Sequence, residues 1–343
     1  MTFPLEFGLD TFGDVTIGAD GDLLPQPEVI RNVVAEAVMA DRSGIDFFGI
    51  GEHHRQDFAV SAPEVVLAAI AACTDRIRLG SAVTVLSSDD PIRVFQRFST
   101  LDALSRGRAE VILGRGSFIE SFPLFGYDLS HYEELFEQKL ELFSKLATQD
   151  TINFEGSWRT PLKDQHVYPP IADGRLKTWI GVGGSPESVL RAVRYDMRLM
   201  LAIIGGDPQR FAPYVELYRK ASQQAGRAPR EIGVHSPGYV AESDEQARRD
   251  LFPHFKKIRN RLGRERGWPP VTEQDFGNEI ERGSLYAGSP ETVARKIASL
   301  VRTLGISRFQ MKYSAGPMEH AKLMNSIELF GTKVVPLVRK LLA

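Results

Sequence analysis

The residues Gly51-Glu52-His53-His54-Arg55 follow a short apolar run and bring an acid, two imidazoles and a guanidinium to one strand exit. Neighbouring residues on a strand point to opposite faces. One histidine of the pair is therefore expected to be hydrogen-bonded in the wall. The other faces inward, where it can give a proton to a bound ligand or take one near neutral pH. The same alternation keeps His53 and His54 from sharing a metal ion, and the first strand adds only Asp10, so no metal site is expected. A second candidate is Gly114-Arg115-Gly116-Ser117. An arginine between glycines offers a planar fork with close backbone approach, which suits a phosphate; the alternative is a tight turn with a solvated arginine. A third is Gly183-Gly184-Ser185-Pro186-Glu187-Ser188, where glycines run into a helix start. Free N–H groups and the positive dipole end make such a start an anion site, with Ser185 and Ser188 as further donors. The alternative is an ordinary capped helix, and Glu187 is an awkward neighbour for a phosphate. The similar Gly288-Ser289-Pro290-Glu291 reads as a plain helix cap.

Apolar runs at 5–10, 46–51, 77–85, 109–114, 178–183, 198–204, 232–240 and 308–313 are expected strands. Helical patterns fill 27–43, 62–73, 91–104, 131–147, 186–195, 208–224, 289–304 and 317–341. This alternation requires a parallel sheet with helical crossovers. Eight repeats favour a closed (β/α)₈ TIM barrel, with an open doubly wound sheet as the alternative. The chain reads as one domain, 1–343. Its rhythm breaks at a loop rich in Gly, Ser, Phe and Pro between 114 and 131, and at a long insertion, about 242–288, after the seventh strand. That insertion opens with a charged helical segment, 243–262, and emerges on the face where barrel active sites lie. It reads as a lid, or more plainly as a surface excursion.

With 343 residues, 43% hydrophobic and 25% charged, and a formal charge of −2, the chain has no basic surplus that would point to nucleic acid or an anionic membrane. The single cysteine, Cys73, forms no internal disulfide. The first residues lack a signal-peptide pattern, and no apolar run is long enough for a membrane span, so a soluble cytoplasmic protein is expected.

Taken together, Phe48-Gly49-Ile50-Gly51-Glu52-His53-His54, Arg106-Gly107-Arg108-Ala109 leading to Gly114-Arg115-Gly116, the Gly183–Ser188 motif, Gly288-Ser289-Pro290-Glu291 and the tail Ser326-Ile327-Glu328-Leu329-Phe330 resemble the bacterial luciferase-like flavin monooxygenases over essentially the whole chain. The resemblance implies an FMN whose phosphate is held by Arg115, Gly116, Ser117, Gly183, Gly184 and Ser185, with Ser188 beside them. It places His53 at the reactive edge of the flavin, and a non-proline cis peptide between Ala82 and Val83 beneath the ring. It also implies a homodimer through the helix at 62–73, which carries no charge after Glu64. Light-emitting members have a reactive cysteine before the fourth-strand arginine. Here Gly114 takes that place, so light emission does not follow.

The activity implied is a monooxygenase: reduced FMN, supplied by a separate NAD(P)H flavin reductase, reacts with O₂ to a C4a-peroxyflavin that oxygenates a small organic substrate. Two alternatives remain. One is hydride transfer with the deazaflavin F420, whose long anionic tail calls for extra basic groups near the top face. The other is a flavin-binding protein without turnover. Phe12, Phe58, Phe118, Phe122, Phe125 and Trp268 are candidates for an apolar pocket.

Overall fold

The computed structural model describes residues 3–116, 118–172 and 174–343, leaving aside the side chains of residues 265 and 266. Its strands are β1 (Glu6–Thr11), β2 (Phe47–Ile50), β3 (Arg78–Ser81), β4 (Thr84–Val85), β5 (Ala109–Gly114), β6 (Ile152–Gly156), β7 (Arg159–Gln165), β8 (Lys177–Val182), β9 (Arg198–Ala202), β10 (Ile232–Val240), β11 (Tyr286–Gly288) and β12 (Arg308–Lys312). The helices are α1 (Gln26–Arg42), α2 (Pro63–Cys73), α3 (Pro91–Ser105), α4 (Ser121–Phe125), α5 (Tyr132–Leu146), α6 (Pro186–Arg194), α7 (Ala212–Gln224), α8 (Asp244–Arg266), α9 (Glu273–Glu281), α10 (Pro290–Leu304), α11 (His320–Leu329) and α12 (Val335–Leu342). Eight strands close a parallel ring in the order β1, β2, β3, β5, β8, β9, β10, β12 and back to β1. The near-continuous apolar strands fit this ring because both of their faces are buried, one by the barrel interior and one by helices.

The eighth barrel strand shows how the interior is built. Every second residue of β12 points inward, and each inward residue is polar and paired. At the bottom Arg308, fully buried, binds Glu6 and Glu110 and lies between the rings of Phe47 and Trp179 at 4.6 and 4.5 Å. Burial alone pushes the Glu110 carboxyl up, but Arg308 and Lys177 outweigh it and hold it well below the usual carboxylate range. One rung higher Gln310 donates to Asp10 at 2.8 Å, and at the top Lys312 binds Asp14 at 3.0 Å. Phe47, Ile112, Trp179 and Met200 fill the space between. The barrel is therefore plugged at its N-terminal end, and free volume remains only toward the C-terminal mouth.

The helix starts follow their sequence signals: Ser185 and Ser289 each accept a hydrogen bond from the third amide of the helix they cap, with a proline at the first helical position. Four features differ from the sequence reading. The third strand, expected as one run at 77–85, is split into β3 and β4, with β4 pairing with β5; the cis peptide between them, Ala82–Val83, stands where the resemblance implied it. An antiparallel hairpin, β6–β7, stands between α5 and β8. The insertion ends early, because Tyr286–Gly288 forms β11 alongside β10 and is buried. The last helix is broken by a π turn, Phe330–Val334. No helix among the described residues is long and apolar enough to cross a membrane.

Candidate functional site

A cavity of about 890 Å³ opens at the C-terminal ends of the barrel strands. Its floor includes Ala82, Val83, Ile112 and Met200. The Val83 side chain reaches over Gly114, where an added β-carbon would meet Val83 Cγ2 at 2.6 Å.

His53 leaves β2 into this cavity and is enclosed by the rings of Phe12, Phe58 and Phe118 at 4.4, 4.8 and 4.9 Å between centroids. Burial, aided by the Lys312 ammonium, lowers its pKa to about 3. The imidazole is thus neutral throughout the physiological range, and it is a weaker base than the sequence suggested. His54 turns the other way: its Nε2 lies 2.8 Å from Glu52 Oε1, and Glu52 Oε2 accepts from the Val85 amide at 3.2 Å. The two histidines diverge as strand alternation requires.

Arg115, Gly116 and Gly183 line the same cavity where β5 and β8 end. Ser185 and Ser188 lie just beyond, at the first turn of α6. Ser117 falls outside the described residues. Arg115 is ion-paired to Glu133, and Glu133 also accepts from Arg191 Nη2 at 2.9 Å. Arg191 Nη1 stands 3.5 Å from Ser188 Oγ. A second guanidinium therefore joins this corner. The sequence offered a signal for it, since Arg191 follows Ser188 by three positions on one helix face. Glu187 accepts from Ser185 Oγ at 2.7 Å, and this bond lowers its pKa.

The far wall was not anticipated. His235 on β10 lines the cavity, with Nδ1 at 2.9 Å from Asp10 Oδ2. Lys312, also lining, donates to Asp14 and Ser314. Burial raises the Asp14 carboxyl, but Lys312, Ser314 and the Gly316 amide outweigh it and hold the pKa below the usual range. His235 and Lys312 sit inside strands that were read only for their apolar pattern, so their inward direction went unused.

Of the six aromatic residues expected in a pocket, Phe12, Phe58, Phe118 and Trp268 line it. Phe122 and Phe125 do not: Phe122 is a buried residue on the inner side of α4, and Phe125 packs against His54 at 5.1 Å. The insertion crosses the mouth as α8. Leu251, Phe255, Ile258 and Leu262 present one apolar stripe to the cavity, and Arg261 is ion-paired to Asp57 in the loop that follows His53.

A parallel eight-stranded barrel with a roofed, largely apolar cavity at its C-terminal mouth is an enzyme architecture. The model of the luciferase-like monooxygenases matches residues 11–308, and the chain belongs to that family. Limonene 1,2-monooxygenase of Rhodococcus erythropolis is 26% identical over 307 residues, 86% of this chain and 78% of the relative. N-acetyl-S-alkylcysteine monooxygenase of Bacillus subtilis is 26% identical over 301 residues, 82% and 86% of the two chains. Among solved structures, monooxygenase RslO1 of Streptomyces bottropensis superposes with a TM-score of 0.84 at 21% identity, covering 97% of this chain and 99% of that one. The oxygenating component of 3,6-diketocamphane monooxygenase of Pseudomonas putida, in complex with FMN, gives 0.78 at 20% identity, covering 97% and 98%. An F420-dependent secondary alcohol dehydrogenase gives 0.74 at 17% identity, covering 99% and 100%. These structural likenesses concern the fold, which serves both flavin and deazaflavin enzymes.

Proposed function

We propose that this protein is an FMN-dependent monooxygenase acting on a small organic substrate. The observation that carries the reading is the joining, in one cavity, of Arg115, backed by Arg191 through their shared partner Glu133, an apolar floor at Ala82 and Val83, and a neutral imidazole at His53. The residues fit the cofactor. Arg115, Arg191 and the N-terminus of α6 supply charge-assisted and backbone donors for a phosphate, with Gly116, Gly183 and Gly184 allowing close approach and Ser185 and Ser188 adding hydroxyls. Glu133 pairs with both guanidinium groups; its side chain is 57% exposed, so it can swing aside. Reduced FMN, when bound, supplies the activation of O₂ and the transfer of one oxygen atom. His53 offers a hydrogen bond without adding charge, and its aromatic enclosure keeps water away. α8 roofs the cavity as a lid.

We further read the chain as one barrel domain acting in the cytoplasm, fed by a separate NAD(P)H flavin reductase and paired as a homodimer through α2. Val65, Ala69 and Ala72 form an exposed apolar stripe on that helix. One observation favours a deazaflavin instead: Lys257, Arg259 and Arg264 of α8 edge the mouth, where an anionic tail would lie. The test is oxygenation driven by a generic flavin reductase with FMN, scored by gain of one oxygen atom across aldehydes, ketones, terpenes, thioethers and phenols. Hydride transfer with reduced F420 and no oxygenation with FMN would transfer the assignment to the deazaflavin.

A further inference from the structure

His235, Asp10 and Gln310 meet on β10, β1 and β12. His235 and Gln310 are register partners, and both line the cavity. Asp10 and Gln310 are fully buried. Asp10 Oδ2 accepts from Gln310 Nε2 at 2.8 Å and stands 2.9 Å from His235 Nδ1. A carboxylate only accepts, so Nδ1–H donates to Asp10, and in the tautomer without a proton on Nε2 that nitrogen is left as an acceptor. Asp10 Oδ1 and Gln310 Oε1 are buried and have no hydrogen-bond donor among the described residues. The neighbouring ammonium of Lys312 is already committed to Asp14 and Ser314. His235 Nε2 is then the acceptor that this wall turns to the cavity. It suits a ligand that brings an O–H, and it is badly matched to a bare carbonyl.

Its position is equally specific. In the closed ring β10 and β12 lie opposite β3 and β5, whose C-terminal ends lead directly into Ala82 and Arg115. A cofactor anchored at the arginine corner leaves this wall to the substrate. Phe12, Phe58, Phe118 and Met200 add aromatic and apolar surface to the same cavity.

We propose that His235, held by Asp10, is the proton acceptor for a substrate bearing an aromatic hydroxyl. The substrate O–H bond breaks, its electron pair stays on oxygen, and the proton passes to Nε2. Asp10 balances the imidazolium formed, and the aromatic ring becomes a phenolate, more reactive toward an electrophilic oxygen. The charged groups on the flanking strands are Asp10 and, on β12, Lys312 with its Asp14 partner; one rung below is Arg308 with Glu6 and Glu110. β9 brings Ala202 opposite His235.

The inference rests on the monooxygenase reading, but its test needs no turnover. 4-Nitrophenol is titrated into the FMN-loaded protein and its ionisation followed by difference absorbance against pH. The bound probe is expected to ionise about one pH unit below the free compound, a tenfold gain in acidity. The shift should vanish in His235→Phe and in Asp10→Asn. If His235→Phe does not fold, His235→Gln serves, since it keeps a polar side chain but has no basic nitrogen. 4-Nitroanisole, which lacks the proton, should bind about tenfold more weakly. A bound probe with its free acidity, an undiminished shift in the His235 variant, or no binding at millimolar probe would overturn the proposal. FMN binding without probe ionisation defeats this inference alone; ionisation in protein that fails to bind FMN defeats the flavin reading alone.

Discussion

Gly114 has no side chain because Val83 occupies the space: a β-carbon at residue 114 would stand 2.6 Å from Val83 Cγ2. Gly114→Ala is expected to cost about 1–3 kcal/mol by overpacking, and Gly114→Cys at least as much. Thermal and urea unfolding measure this. A Gly114→Cys protein as stable as the wild type would mean that the floor yields freely.

His53 gives the stability an acid dependence of defined sign. Its folded pKa of about 3 lies below the value near 6.5 expected for the unfolded chain, so the unfolded state binds the extra proton. The stability linked to the neutral ring is fully present above pH ~6.5 and is lost as pH falls toward 3. Between pH 7 and 5 the wild type should lose up to about 2 kcal/mol more than His53→Phe. Parallel losses in urea titrations at the two pH values would show that His53 is not held neutral.

The exposed stripe on α2 is expected to be a dimer contact. Val65 is 71% exposed in the single chain, an unusual setting for a large apolar residue repeated at helical spacing with Ala69 and Ala72. Ala69→Arg with Ala72→Arg should convert a dimer to a folded monomer, because both positions face away from the chain's own core. Sedimentation at micromolar protein decides, and a monomeric wild type there ends the idea.

α8 is expected to open. It crosses the mouth, is charged along its outer face, and is tied to the barrel loops by the Arg261–Asp57 ion pair. Partly exposed ion pairs contribute about 1 kcal/mol or less. The α9 end is held better, since Lys296 donates to the carbonyls of Glu279, Ile280 and Leu285. Hydrogen exchange should therefore run fastest in α8, slower in α9 and slowest in the barrel strands, with Asp57→Asn speeding α8 alone. Protection of α8 equal to that of β5 would contradict a lid.

What the sequence disclosed follows physical lines. Buried parallel strands give short, mostly apolar runs between helical patterns, so the eight barrel strands could be placed from the chain alone, although β12 alternates apolar and polar residues. Motifs carried by glycine and helix-start chemistry were also visible, which is why Arg115 and the Gly183–Ser188 turn stood out. The β6–β7 hairpin was missed because its pattern is short, with only Ile152 and Phe154 buried on an otherwise exposed pair of strands. Arg191, His235 and Lys312 were missed for another reason: each is a polar residue inside an element read for its apolar face. Its role depends on partners far away in sequence, such as Asp10 for His235, 225 positions apart. The apolar stripe of α8 was hidden among its charges, and its target exists only once the barrel has closed.

We propose that this cavity binds FMN through the Arg115–Arg191 corner. The most direct measurement is an equilibrium titration of the purified protein with FMN, riboflavin and F420, followed by flavin fluorescence, in the wild type, Arg115→Ala and Arg191→Ala. FMN is expected to bind more tightly than riboflavin. Each substitution should weaken FMN binding by about 1.5–3 kcal/mol, since each removes one charge-assisted phosphate contact, and leave riboflavin binding unchanged. Equal affinity for FMN and riboflavin in the wild type, or FMN affinity unchanged in both folded variants, would contradict the account.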